Sequence, residues 1–83
     1  MSIRGYVLVE TEVGRTQSVG TAIRHVRSDH ATITSVDTVT GPYDVIVQLE
    51  ADDLDRLGKA ITEEVASVDG VQRTTTCLAV SLG

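Results

Sequence analysis

Phenylalanine and tryptophan are absent from this chain, and tyrosine occurs only twice. That excludes an aromatic stacking platform, which a sheet-based RNA binder needs on its central strands. Basic residues are also scarce: Lys and Arg total 7 against 12 Asp and Glu, for a formal net charge of −5. A groove that tracks a phosphate backbone needs the opposite balance. The single cysteine, Cys77, permits no internal disulfide and no cysteine-built zinc cluster. No long apolar run opens the chain, and Glu10 and Glu12 follow the first short one closely. Neither a signal peptide nor a membrane span is therefore expected, and a cytoplasmic protein is. The GxSxG, GxGxxG and GxxxxGK[ST] patterns are all missing, so neither a nucleophile elbow nor a phosphate loop is expected. With 83 residues there is room for one domain. A domain of that size buries only about 60–65% of its unfolded surface, and association is a usual way to make up the deficit.

The most informative stretch present is Thr40 to Glu50, TGPYDVIVQLE. Gly41-Pro42-Tyr43-Asp44 has turn chemistry: Pro presets φ, Gly tolerates positive φ, and Asp bonds nearby backbone. It leads into the apolar run Val45 to Leu49, and the β-forming run Thr32 to Val39 precedes it. Two such runs around a Gly/Pro turn predict a hairpin.

Ile3 to Glu10 is a first strand, with Tyr6 and Leu8 on one face and Val7 and Val9 on the other. From Gly14 to Arg27 the period changes, and Val19, Ala22, Ile23 and Val26 form one helical stripe. Gly20 weakens that helix by about 1 kcal/mol relative to Ala. After the hairpin, Asp52 is the expected N-cap of a second helix, whose stripe is Leu54, Leu57, Ile61, Val65 and Val68. Gly70 stops it, and Val71 to Leu82 forms a last strand. The order β-α-β-β-α-β, with short connections, predicts an α+β ferredoxin-like fold. Four antiparallel strands then carry two helices on one face. The runs Tyr6–Val9 and Val45–Leu49 should be the central pair, and Thr32–Val39 an edge.

Two helices cover one face only, yet both central runs are apolar in both phases. A bare sheet face of about 300–400 Å² would contribute up to roughly 10 kcal/mol per subunit if stacked on a copy, before association costs. A dimer through the open face is therefore expected.

Catalytic constellations are sparse. His25, Asp29 and His30 lie close in sequence but lack further ligands, and solvated surface residues are the simpler reading. Cys77, inside an apolar strand, is expected to be a buried, inert thiol. Adjacent Glu63 and Glu64 diverge on a helix and serve solvation. No catalytic residue, metal or cofactor is expected. Binding chemistry is better supplied: Asp44 offers an acceptor for an ammonium, and Thr74, Thr75 and Thr76 offer hydroxyls to a carboxylate. On chemistry alone the simpler alternative leads, in which Asp44 closes its turn and the threonines fill a strand.

The GYVLVE strand, the VTGPYDVIV turn and strand, and the ending VDGVQRTTT together resemble the effector-binding (RAM) domain of the Lrp/AsnC regulators. The resemblance spans nearly the whole chain, and the G-x-Y-D turn is its most specific part. It implies a ferredoxin-like domain that dimerises through its sheet, assembles into rings, and binds small effectors, usually amino acids, where dimers meet. By motif, Gly41, Tyr43 and Asp44 correspond to the effector-site turn, with Thr74 and Thr76 a weaker correspondence. Pro42 departs from a plain turn by removing one N–H. The family's helix-turn-helix does not precede the first strand, so the expectation is a stand-alone effector module, residues 1–83, linked to transcription without binding DNA itself. Its expected partners are itself, an amino acid or related metabolite, and a full-length Lrp-type regulator. Two alternatives stand beside this reading: a small dimeric αβ-barrel enzyme of the cofactor-free monooxygenase or isomerase type, and a ligand-free assembly adaptor.

Overall fold

Val7 and Val9 in one strand and Val45, Val47 and Leu49 in its neighbour are fully buried and share one face of the sheet. The rest of the molecule is laid on that face. A computed structural model describes residues 2–82. The first strand, β1, spans Ile3–Thr11, and helix α1 spans Thr16–Arg24. Strands β2 (Thr32–Thr38) and β3 (Val45–Ala51) form the hairpin. Helix α2 (Leu54–Lys59) continues as a π-helical segment, Ala60–Val65, and β4 spans Val71–Leu78. The sheet order is β2-β3-β1-β4, antiparallel throughout. This is the expected ferredoxin-like arrangement, with β1 and β3 central and the threonine-rich β2 at an edge. No helix among the described residues is long and apolar enough to cross a membrane.

Local structure departs from the sequence reading in four places. Helix α1 is shorter than residues 14–27, because Gly14 has φ +80, outside the helical region. At its other end, His25 N–H and Val26 N–H bond only three residues back, to Ala22 and Ile23. Its buried stripe is Val19, Gly20 and Ile23, while Ala22 is exposed. Gly20 permits close packing: a Cβ there would sit 3.2 Å from Thr38 Oγ1 of β2.

The N-cap of α2 is Asp53, not Asp52. Its extended backbone (φ −151°) lets its Oδ1 accept from Arg56 N–H at 2.8 Å. Behind it the helix widens, with Ala66 N–H bonding Ile61 O five residues back at 2.8 Å. Leu57, Ala60 and Val65 are buried, Ile61 and Val68 are half-buried, and Leu54 is 56% exposed.

Strand β4 ends at Leu78 rather than Leu82, and Val80 and Leu82 are exposed. Cys77 is exposed, not buried. Its cross-strand partner is Tyr6, which puts it on the face away from the helices, beside residues that nothing in the protomer covers.

That open face is also less uniformly apolar than its central strands suggested. Register places Tyr6, Leu8, Ile46 and Cys77 together on it. Around them lie Arg4, Glu10, Gln48, Glu50, Arg73 and Asp37. Arg73 approaches Glu10 at 3.9 Å, and the Arg4 guanidinium lies 6.0 Å from the Tyr6 ring centroid. The face is thus a small apolar island in a polar surround. The strict alternation along β3 (Val45, Val47 and Leu49 inward; Ile46, Gln48 and Glu50 outward) produces it.

Candidate functional site

The turn between β2 and β3 is closed by Val39 N–H to Asp44 O at 2.9 Å. Gly41 supplies the left-handed residue this closure needs, at φ +128. Asp44 then leaves the turn and is held from two sides. Its N–H donates to Val9 O at 2.9 Å. Its Oδ2 accepts from Thr11 N–H at 2.8 Å and from Thr11 Oγ1 at 3.1 Å. Thr11 Oγ1 also meets Thr16 Oγ1, the first residue of α1, at 2.7 Å. The turn carboxylate therefore ties together the hairpin, the end of β1 and the start of α1.

Thr11 is the member of this hydrogen-bond network that sequence reasoning missed, the first strand having been expected to end at Glu10. It is the one buried polar side chain among the described residues, 8% exposed. A signal was available: Thr11 continues the inward phase of Val7 and Val9, and a hydroxyl at an inward position needs partners. The start of β4 joins the same end of the sheet, where Glu12 N–H donates to Gly70 O at 2.9 Å.

Gly41, Tyr43 and Asp44 form one unit on this end, with Gly41 exposed and Tyr43 and Asp44 half-buried. The two threonines do not join them. Thr74 stands across from Val9, which in turn faces Val45, so Thr74 and the turn are separated by two strand spacings, about 10 Å. Thr76 lies farther along β4, opposite Val7. It lines a groove of about 340 Å³ with Leu54, Leu57, Ile61, Thr62 and Leu78, against α2 and the π segment. Within one protomer, then, β1 separates the turn from the threonines.

The other groups singled out in the sequence are plainly placed. His25 Nδ1 pairs with Thr21 O of its own helix at 2.8 Å. His30 N–H donates to Ser28 Oγ at 3.0 Å in the following loop. No three His, Cys, Asp or Glu side chains among the described residues are grouped as metal ligands would be. Near the turn end of the molecule, Arg15 Nη2 donates to Asp69 Oδ2 at 2.8 Å. That hydrogen bond, and then the charge of Arg15, holds the Asp69 carboxyl below its ordinary pKa.

The family model described as the Lrp/AsnC ligand binding domain matches residues 4–82. The chain belongs to the Lrp/AsnC ligand-binding domain family. Among solved structures, this Lrp/AsnC domain is similar to a protein of Thermus thermophilus, with 32% identity and a TM-score of 0.83. That match covers 98% of this chain and 96% of the other. It shares its fold with AsnC of E. coli at 15% identity and a TM-score of 0.82, covering 96% of this chain and 52% of that one. It also shares it with a transcriptional regulator of Neisseria meningitidis solved in complex with L-Met. There the identity is 15%, the TM-score 0.78, and the coverage 95% of this chain and 50% of that one. The Lrp/AsnC domain described here thus spans about half the length of these two regulators. No curated protein matches its sequence.

Proposed function

We propose that this domain is a non-enzymatic effector-binding module that senses an amino acid or a closely related metabolite. It acts as a dimer through its open sheet face and as a higher ring of dimers, and it is linked to transcriptional regulation. The observation that carries the reading is the family match over residues 4–82, which includes the Gly41–Asp44 turn. The L-Met held by the Neisseria regulator supports an amino acid as the ligand class.

The physical case for a site made between copies rests on the separation just described. Gly41, Tyr43 and Asp44 lead into central strand β3, with Asp44 bonded to β1, and Thr74 and Thr76 stand on edge strand β4, on the far side of β1. A small zwitterion is too short to use both groups of one protomer, but a neighbouring copy can present one group to the other. Because Asp44 Oδ2 is engaged by Thr11, an incoming ammonium meets a carboxylate already fixed in orientation. Pro42 leaves the turn one backbone donor fewer for a ligand carboxylate, which places more of that work on hydroxyls and on the remaining N–H groups.

Against the αβ-barrel enzyme reading stands the filling between helices and sheet. Val9, Val19, Ile23, Leu49, Leu57 and Val65 are all at most 1% exposed and occupy the space where such an enzyme keeps its substrate pocket. The acidic balance argues that this domain does not itself hold DNA. A full-length Lrp-type regulator is the natural partner for mixed rings, since the shared fold supplies the same docking surfaces. Calorimetric titration with each of the twenty amino acids tests the proposal: saturable heat is expected for at least one at millimolar concentration or below. Silence from all twenty sinks the sensor reading and favours the adaptor.

A further inference from the structure

The surface of this acidic chain has a basic recess. A groove of about 370 Å³ lies between the C-terminal end of α1 and the edge strand β2, with Arg24 and Arg27 in its lining. Arg15, Lys59 and Arg73 each sit in an ion pair with a carboxylate, whereas Arg24 and Arg27 take part in none among the described residues. The carboxylates nearest in sequence, Asp29 and Asp37, do not line the groove. Two guanidiniums in one recess repel each other unless an anion lies between them.

Four further features fit this place to a ligand. Arg24 is drawn over the helix by the absence of a side chain at Gly20, with Nη1 3.6 Å from where a Cβ would stand. Its Nη2 reaches Val36 O only at 3.4 Å, so the fork aims at β2 while most of its donors stay available. On the strand side the register shifts between Ile33 and Ser35, a bulge that takes Thr34 out of the backbone pairing at the groove wall, its hydroxyl donating to Gln48 O at 3.1 Å. The floor is apolar, supplied by Val26 and Val36. The carbonyls of Ala22 and Ile23 at the helix end are taken by His25 and Val26 N–H, which blunts the negative pole an anion would meet.

We infer that this groove binds a small organic anion, its phosphate or carboxylate head between Arg24 and Arg27 and its short apolar body over Val26 and Val36. The volume is within the range of small-ligand pockets, about 300–1,000 Å³. Guanidinium forks suit both head groups, in bidentate geometry. The site lies within one protomer and does not use the Gly41–Asp44 turn, so it stands or falls separately from the amino-acid site.

The test is an amide and Arg side-chain NMR titration of the full chain with butyl phosphate, butanoate and butylammonium. Saturable shifts at Thr34, Ser35 and the Arg24 and Arg27 Nε–H signals are expected for at least one of the two anions, and the stronger responder identifies the head group. The double variant Arg24→Gln/Arg27→Gln, altered only at positions outside the core, should keep its remaining spectrum and lose at least about tenfold in affinity. Failure of both anions to saturate overturns the inference. So does an equal response to butylammonium, a comparison that needs no variant, and so does binding that survives in the double variant.

Discussion

Asp44 grips Thr11 twice, through the backbone N–H at 2.8 Å and the hydroxyl at 3.1 Å, across a sequence separation of 33 residues. The residue on which the proposed effector role rests therefore also holds the fold at that end of the sheet, and the proposed role separates from the structural one by substitution. Asp44→Ala strands the Thr11 N–H in a largely buried place and should cost about 1–3 kcal/mol in denaturant unfolding. Asp44→Asn keeps a neutral acceptor and should cost less, about 1 kcal/mol. If the carboxylate recognises an ammonium, Asp44→Asn must still weaken amino-acid binding by about tenfold or more in calorimetry. A folded Asp44→Asn protein with unchanged affinity would assign Asp44 to the turn alone.

Gly70 is the backbone position with least freedom. It is buried, has φ +97, and a Cβ built on it would lie 2.8 Å from Val19 Cγ2 and 3.2 Å from Arg15 Cβ. Left-handed strain and overpacking both oppose Gly70→Ala, together by about 2–4 kcal/mol. For a domain of this size that lowers Tm by roughly 10–25 °C in a thermal melt. Gly41→Ala is the comparison. At φ +128 it carries backbone strain, but nothing lies within 4 Å of its Cβ, so its loss should be the smaller one.

These two glycines show what the sequence could and could not disclose. Topology was legible, because each element carries its own period and the turn residues sit between periods. Gly70 was legible as a turn residue before the last strand, but it is not the expected helix stop, since the helical segment ends at Val65 with Ala66 as its cap. Its contact with Val19 was not legible, since that contact joins two elements distant in sequence. The α2 stripe was misread at Leu54, which is exposed, while Leu57, Ile61, Val65 and Val68 face inward as expected, and no residue in Ala60–Val65 announces the π segment. Cys77 was misread because alternation along an edge strand reports two faces without saying which the helices cover. The turn was legible from Gly-Pro-Tyr-Asp, while its tether at Thr11 needed the register of β1.

The Arg15–Asp69 pair has a pH dependence of definite sign. Asp69 is held below its ordinary carboxyl pKa by the Arg15 hydrogen bond and then by the Arg15 charge. Its contribution is therefore complete above the ordinary carboxylate range and is lost as pH falls through the lowered folded-state value. Asp69→Asn cannot titrate. The Tm gap between wild type and Asp69→Asn should be small, because both side chains are exposed at the surface. It should be largest near neutral pH and close as pH falls through the lowered folded-state value. High salt should shrink it at neutral pH. A gap that widens in acid would show that Asp69 matters through something other than its charge.

The open sheet face offers the last expected outcome, with a reporter already in place. Tyr6, Leu8 and Ile46 form its apolar centre, and Cys77 stands beside Tyr6 on the same face, exposed in the protomer. If two such faces stack, a thiol reagent should label Cys77 quickly at low protein concentration and more slowly as concentration rises, because labelling follows the free-protomer population. Ile46→Lys puts a charge in the centre of the island, where stacking would leave it buried and unpaired. It leaves the Val45–Val47–Leu49 face untouched, so the protomer should stay folded. Light scattering should then give a mass near 8.8 kDa for Ile46→Lys and at least twice that for wild type. Cys77 in the variant should label at one rate at every concentration. A wild-type protein that scatters as a single protomer at micromolar concentration, with Cys77 labelled at a constant rate, would remove the sheet-face dimer and with it the effector cleft between copies.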